Sequence, residues 1–131
     1  MKIAVDGPAG AGKSTIARLI AERLGLRYLD TGAMYRAITL EALRRGVDTN
    51  DEAALMRVAT SVDLNISFQG SSGNLVYLDE EDVTELIRQP NVTAHVSAVS
   101  SHKKVREFIV ALQEQIGKQG SIVMDGRDIG T

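Results

Sequence analysis

The stretch that most restricts what this chain can fold into is residues 2–15, KIAVDGPAGAGKST. A short apolar run closes at Asp6, and glycines follow at 7, 10 and 12. Apolar residues then recur at helical spacing (Ile16, Ala17, Leu19, Ile20, Leu24), with Gly25 as a natural stop. A strand, a glycine-rich turn and a helix in direct succession open a parallel α/β sheet, and the first strand is expected to be buried on both faces. A packed core has no use for a lysine and two hydroxyls at the end of such a strand. A bound phosphate does.

Gly7, Gly12, Lys13 and Ser14 match the pattern G-x-x-x-x-G-K-[ST], with a strand before it and a helix after it. Backbone N–H groups can converge on an anion only in loop conformations that glycine tolerates best. The first turn of the helix adds unsatisfied N–H donors and a positive dipole end. Lys13 supplies a mobile point charge for the outer phosphates, and Ser14 a hydroxyl for Mg²⁺. From average glycine usage, a chance match in a chain of this length is on the order of one in a few hundred, before the strand–helix context is required.

The rest of the chain extends the α/β pattern and then interrupts it. LRYLD at 26–30 reads as a second strand and residues 32–45 as a second helix. TNDE at 49–52 has the Thr-x-x-Glu spacing of a capping box, predicting a helix that starts there and runs to about residue 61. Leu64, Ile66 and Phe68 alternate with polar residues, QGSSGN makes a turn-rich gap, and LVYLD returns. These features predict a small antiparallel hairpin at about 62–79. Pro90 and Asn91 break the chain, residues 92–100 read as a helix, and Val105, Phe108, Ile109, Leu112 and Ile116 form the apolar stripe of another. SIVMD at 121–125 gives a third buried strand.

Composition narrows the function. The 131 residues are 44% apolar and 24% charged with a formal net charge of −2, values of a single globular domain without a global basic field for nucleic acid. There is no cysteine, and His95 and His102 stand too far apart in sequence to suggest a metal pair. The N-terminal residues are expected to form neither a signal peptide nor a membrane span. The expected setting is the cytoplasm, with small-molecule partners and no nucleic acid or membrane.

Two further clusters accompany the phosphate loop. LDTGAMYR at 29–36 puts Thr31 at the end of the second strand and Arg36 just over one helical turn later. VMDGRDIGT at 123–131 ends the third strand with an Asp-Gly-Arg-Asp cluster. The carboxyl ends of parallel strands line the ligand crevice of open α/β sheets, so all three clusters are expected to face one pocket.

On these residues the sequence resembles the P-loop nucleoside monophosphate kinases, and within them the bacterial cytidylate kinase family. The resemblance rests on DGPAGAGKST, LDTGAMYR, the GNL of the hairpin, VRE at 105–107 and DGRDIGT, and runs collinearly over the whole chain. It implies transfer of a phosphoryl group from ATP to CMP or dCMP, with Mg²⁺. It implies an ATP-phosphate site made of Gly7, Pro8, Ala9, Gly10, Ala11, Gly12, Lys13, Ser14 and Thr15, with Lys13 and Arg127 catalytic. Arg36 and Arg127 would hold the acceptor phosphate, to which a planar guanidinium is suited. Thr31, Ser97, Arg106 and Asp128 are implied as contacts to the cytosine and its surroundings, within a monophosphate-binding region spanning 31–110. Asp125 ends an apolar strand in the manner of a second acidic metal partner beside Ser14; a helix or turn cap is the other reading. Arg106 stands equally well as a solvated helix face, Ser97 rests on the resemblance alone, and Tyr35 reads as core packing.

Two other functions stay open on the residues. One is a different P-loop small-molecule kinase, of the shikimate or dephospho-coenzyme A type, against which the hairpin and DGRDIGT argue. The other is a catalytically impaired module that binds nucleotide without turning it over. Members of the resembled family continue past DGRDIGT with two more parallel strands and an arginine-bearing lid, in the sheet order 2-3-1-4-5, and are monomers on that full sheet. In the chain as given KIAVD would be an exposed edge, so a shortened form of low turnover is expected.

Overall fold

The computed structural model describes residues 2–6, 13–69 and 73–126. Along the chain these form β1 (Lys2–Asp6), α1 (Lys13–Leu24), β2 (Arg27–Asp30), α2 (Thr31–Arg44) and α3 (Glu52–Ser61). Then come β3 (Leu64–Phe68), β4 (Asn74–Leu78), β5 (Glu81–Asp82), a 3-10 turn (Leu86–Arg88), α4 (Pro90–Ser100), α5 (Lys103–Gly117) and β6 (Ile122–Gly126). One sheet is parallel with order β1-β6-β2, and the other is antiparallel with order β3-β4-β5. This is the α/β architecture the sequence predicts, a parallel sheet flanked by helices with an antiparallel insertion. Among the described residues no helix is long and apolar enough to cross a membrane.

The last strand in sequence occupies the middle of the parallel sheet, which is why Ile122, Val123 and Met124 are all buried. Side-chain alternation then divides the core. Val123 and Tyr28 pack with Ile3 and Val5 against Ala17 and Ala21 of α1, two small residues one turn apart that let the helix lie close to the sheet. Leu29, Ile122 and Met124 face the other way, onto Met34 and Ile38 of α2, Leu55 of α3 and Ile109 of α5. Each such fully buried aliphatic side chain contributes about 1.5–3 kcal/mol of transfer free energy. Helix α2 serves both sheets: its Ala33, Ala37 and Leu40 cover Val76, Leu78, Val83 and Ile87 of the insertion.

Several local expectations are corrected. β1 is not buried on both faces: Lys2 and Ala4 are exposed and Ile3 and Val5 half-buried, because β1 is an edge of the described sheet. The cap of α3 is Asp51 rather than Thr49, its Oδ1 accepting from the Ala54 N–H at 3.1 Å. Thr49 is buried and its carbonyl accepts from Nε2 of His102. Glu52 is the first helical residue instead of the fourth of a box, and its carboxylate accepts from the Lys104 N–H in the first turn of α5. α4 begins at Pro90, whose fixed φ suits the first helical position, so this proline starts a helix where the sequence suggested a break. β5 and the 3-10 turn are too short to show a period in the sequence.

Candidate nucleotide site

The parallel register brings three chain segments to one edge of the sheet. Asp6 pairs with Gly126 and Asp30 with Asp125, so β1, β6 and β2 end side by side at their carboxyl ends. The segments that continue from these ends are 7–12, 127–131 and the start of α2. Gly7, Pro8, Ala9, Gly10, Ala11, Gly12, Arg127 and Asp128, and the side chains of Lys13 and Ser14, lie outside the described residues. α1 nevertheless begins at Lys13, packs on β6, β1 and β2, and carries no acidic residue in its first turn. The positive end of α1 therefore meets no acidic side chain from its own first turn, where Thr15 is exposed.

Asp125 lies on the α1 face of β6 by alternation with Val123, and it is only 4% exposed. Its Oδ2 accepts a 2.6 Å hydrogen bond from the Tyr28 hydroxyl on β2, so the described partner of this carboxylate is a phenol and not a helix or turn N–H. Burial, the Asp125 hydrogen bond and the nearby Asp30 and Asp125 charges push the Tyr28 phenol far above its ordinary range. The Arg18 guanidinium sits over the Tyr28 ring, 5.2 Å from its centre, and weakly opposes that shift. At the first residue of α2, the Thr31 hydroxyl donates to the Asp125 backbone carbonyl. Thr31 is buried, so the described bond of its hydroxyl ties the start of α2 to β6.

The start of α2 is held by Asp30, whose Oδ1 accepts from the Ala33 N–H at 3.3 Å and whose Oδ2 accepts from Arg88 at 3.1 Å. A Cβ at position 32 would lie 3.3 Å from that same Oδ1, so Gly32 keeps room for the cap. Arg36, on α2, uses Nη1 to donate to the Ile87 carbonyl at 3.1 Å and to Thr93 Oγ1 at 2.9 Å. Arg106 is half-buried, and its Nη1 donates to the Ser100 and Ser101 carbonyls across the α4–α5 turn. It is therefore not a freely solvated side chain. Ser97 is exposed on α4, and Tyr35 is half-buried against the main core, as expected of it.

Four residues order this region beyond those singled out from the sequence. Asp30 carried a legible signal, an aspartate immediately before a helical run. Asn74 (within the GNL of the hairpin), Arg88 and Tyr28 carry no local signal of these contacts, since each acts through partners 44 to 97 positions away.

Among the described residues no three His, Cys, Asp or Glu side chains gather in the manner of an all-protein metal cage. The buried Asp125 carboxylate, with one oxygen held by Tyr28, fits a hard cation that keeps most of its ligands as water and phosphate oxygens.

Comparison with known proteins adds to this geometry. A family model described as cytidylate kinase matches residues 3–131. A protein of Enterococcus faecalis named cytidylate kinase is 56% identical over 132 aligned positions, covering 100% of this chain and 58% of the relative. Proteins of the same name from Pelotomaculum thermopropionicum and Symbiobacterium thermophilum are 52% and 51% identical over 129 positions, covering 98% of this chain and 57% of each relative. The chain thus spans well under two thirds of the length of these curated relatives.

Proposed function

The chain belongs to the cytidylate kinase family, and from that premise we propose that the protein transfers the γ-phosphoryl of ATP to CMP or dCMP, giving ADP and CDP or dCDP. The observation that carries the reading is the side-by-side ending of β1, β6 and β2, whose continuations hold the phosphate-loop pattern, DGRDIGT and LDTGAMYR.

In this reading residues 7–15 cradle the ATP phosphates with backbone N–H groups and the positive end of α1. Lys13 balances charge that spreads over the transferred group. Mg²⁺, held by Ser14 and through water by Asp125, would neutralise the β- and γ-phosphate oxygens. Arg36 and Arg127 grip the acceptor phosphate and aim one of its oxygens in line with the γ-phosphorus. The described bonds of Arg36 both leave from Nη1, and the Nε–Nη2 edge of its fork is the one assigned here to the phosphate. Thr31, Ser97, Arg106 and Asp128 surround the cytosine, with residues 31–110 as the monophosphate-binding region. The acceptor supplies its own nucleophile, so positioning and charge neutralisation account for the catalysis.

The reading implies small-molecule partners, a monomer and the cytoplasm. It is tested by offering the purified native protein ATP with CMP, dCMP, UMP, shikimate or dephospho-coenzyme A and measuring ADP release. Consumption of CMP and dCMP ahead of the rest supports it. Preference for shikimate or dephospho-coenzyme A, or ATP binding without turnover on any acceptor, refutes it.

A further inference from the structure

The insertion is attached to the parallel sheet by a side chain that acts as a strand. β2 is the outer strand of the order β1-β6-β2, so one of its edges has no strand neighbour among the described residues. The Asn74 side chain lies on that edge. Its Nδ2 donates to the Tyr28 carbonyl at 2.8 Å and its Oδ1 accepts from the Asp30 N–H at 2.8 Å. A residue of a parallel neighbouring strand makes this same pair of bonds around the residue it faces, here Leu29. Across the hairpin Asn74 pairs with Phe68, whose ring lies 4.5 Å under the Arg27 guanidinium of the same strand. One rung of the insertion therefore grips β2 at both ends. The grip ends at Asp30, the cap of the helix that carries Arg36.

We propose that Asn74 is a positioning residue for the acceptor site: its side-chain amide completes the β2 edge, and by holding Asp30 it sets the start of α2 and the placement of Thr31 and Arg36. This rests on the kinase reading above for what is positioned, and on the two hydrogen bonds alone for how. No other amino acid presents a donor and an acceptor at this reach from the backbone. Aspartate keeps the acceptor for the Asp30 N–H but meets the Tyr28 carbonyl with a second acceptor.

The test uses Asn74→Ala and Asn74→Asp in the native protein, with Asn65→Ala, an exposed asparagine on β3, as the control. The structural readout is amide hydrogen exchange at Asp30, expected to speed up at least about tenfold in Asn74→Ala and to stay near wild type in Asn65→Ala. The functional readout is the split between substrates: the acceptor KM rises about five- to tenfold, while kcat and the KM for ATP move less than about twofold. Should Asn74→Ala not fold, Asn74→Asp must still raise the acceptor KM without touching that for ATP. Unchanged Asp30 exchange, an unchanged acceptor KM, or a parallel rise in both KM values overturns the proposal. If the wild-type protein phosphorylates no nucleoside monophosphate, the kinase reading fails and the acceptor role falls with it, while Asp30 exchange still decides whether Asn74 completes the edge.

Discussion

The Tyr28 hydroxyl donates a 2.6 Å hydrogen bond to the Asp125 carboxylate on the adjacent strand, beneath the helix that follows the phosphate-loop segment. The bond aims one carboxylate oxygen and offsets part of the cost of keeping the group buried. Tyr28→Phe keeps the ring and removes the bond. It is expected to cost about 1–3 kcal/mol in denaturant unfolding and to raise the Mg²⁺ concentration for half-maximal turnover about tenfold. A wild-type Mg²⁺ response would separate Asp125 from the metal.

Burial of the Tyr28 phenol, together with its bond to Asp125, dictates an alkaline limb of stability. The folded-state pKa of Tyr28 lies above its unfolded value, so the native state holds the phenolic proton more tightly. The associated stability is complete below the unfolded pKa of about 10 and is lost as pH rises above it. Unfolding free energies across that range should fall more steeply for the wild type than for Tyr28→Phe. Equal slopes would show that another group governs the alkaline limb.

For the chemical step, Lys13→Ala and Arg127→Ala should each lower kcat on CMP by about a hundredfold or more, since each removes a charge aimed at the transferred or acceptor phosphate. Near wild-type turnover in either variant would remove that residue from the mechanism.

The cap of α3 gives a test confined to stability. Asp51→Ala leaves the Ala54 N–H without its partner and should lower the unfolding free energy by about 1 kcal/mol, whereas Asp51→Asn should lose much less. Equal losses in the two variants would mean that charge, and not the capping bond, matters there.

The β4–β5 turn carries a removable strain. Asp79 and Glu80 occupy its two central positions with φ of 48° and 71°, a conformation that favours glycine. Glu80→Gly should raise stability by about 0.5–1 kcal/mol in thermal or denaturant melts. A loss would show that the exposed Glu80 side chain has a compensating role.

The elements with strong local signals were readable without coordinates. The helix at Lys13–Leu24 follows from its apolar spacing and Gly25. The hairpin follows from the alternation of Leu64, Ile66 and Phe68 around a turn-rich gap. The phosphate-loop pattern was legible because its chemistry depends on backbone freedom and on neighbours in sequence. The Thr49 capping box failed for a tertiary reason: the Thr49 carbonyl is engaged by His102, and the chain enters the helix at Asp51 instead.

Local pattern alone thus established the α/β class, the order of its major elements and the candidate phosphate-binding loop, because periodicity, glycine placement and caps are properties of neighbouring residues. Folding decided which strand is central, that Asp125 meets Tyr28, that Asp30 and Arg88 hold the entry to α2, and that Asn74 serves as a substitute strand. Those contacts join residues 44 to 97 positions apart, and no spacing in a linear chain encodes which distant polar atoms will be left facing one another once the core has closed.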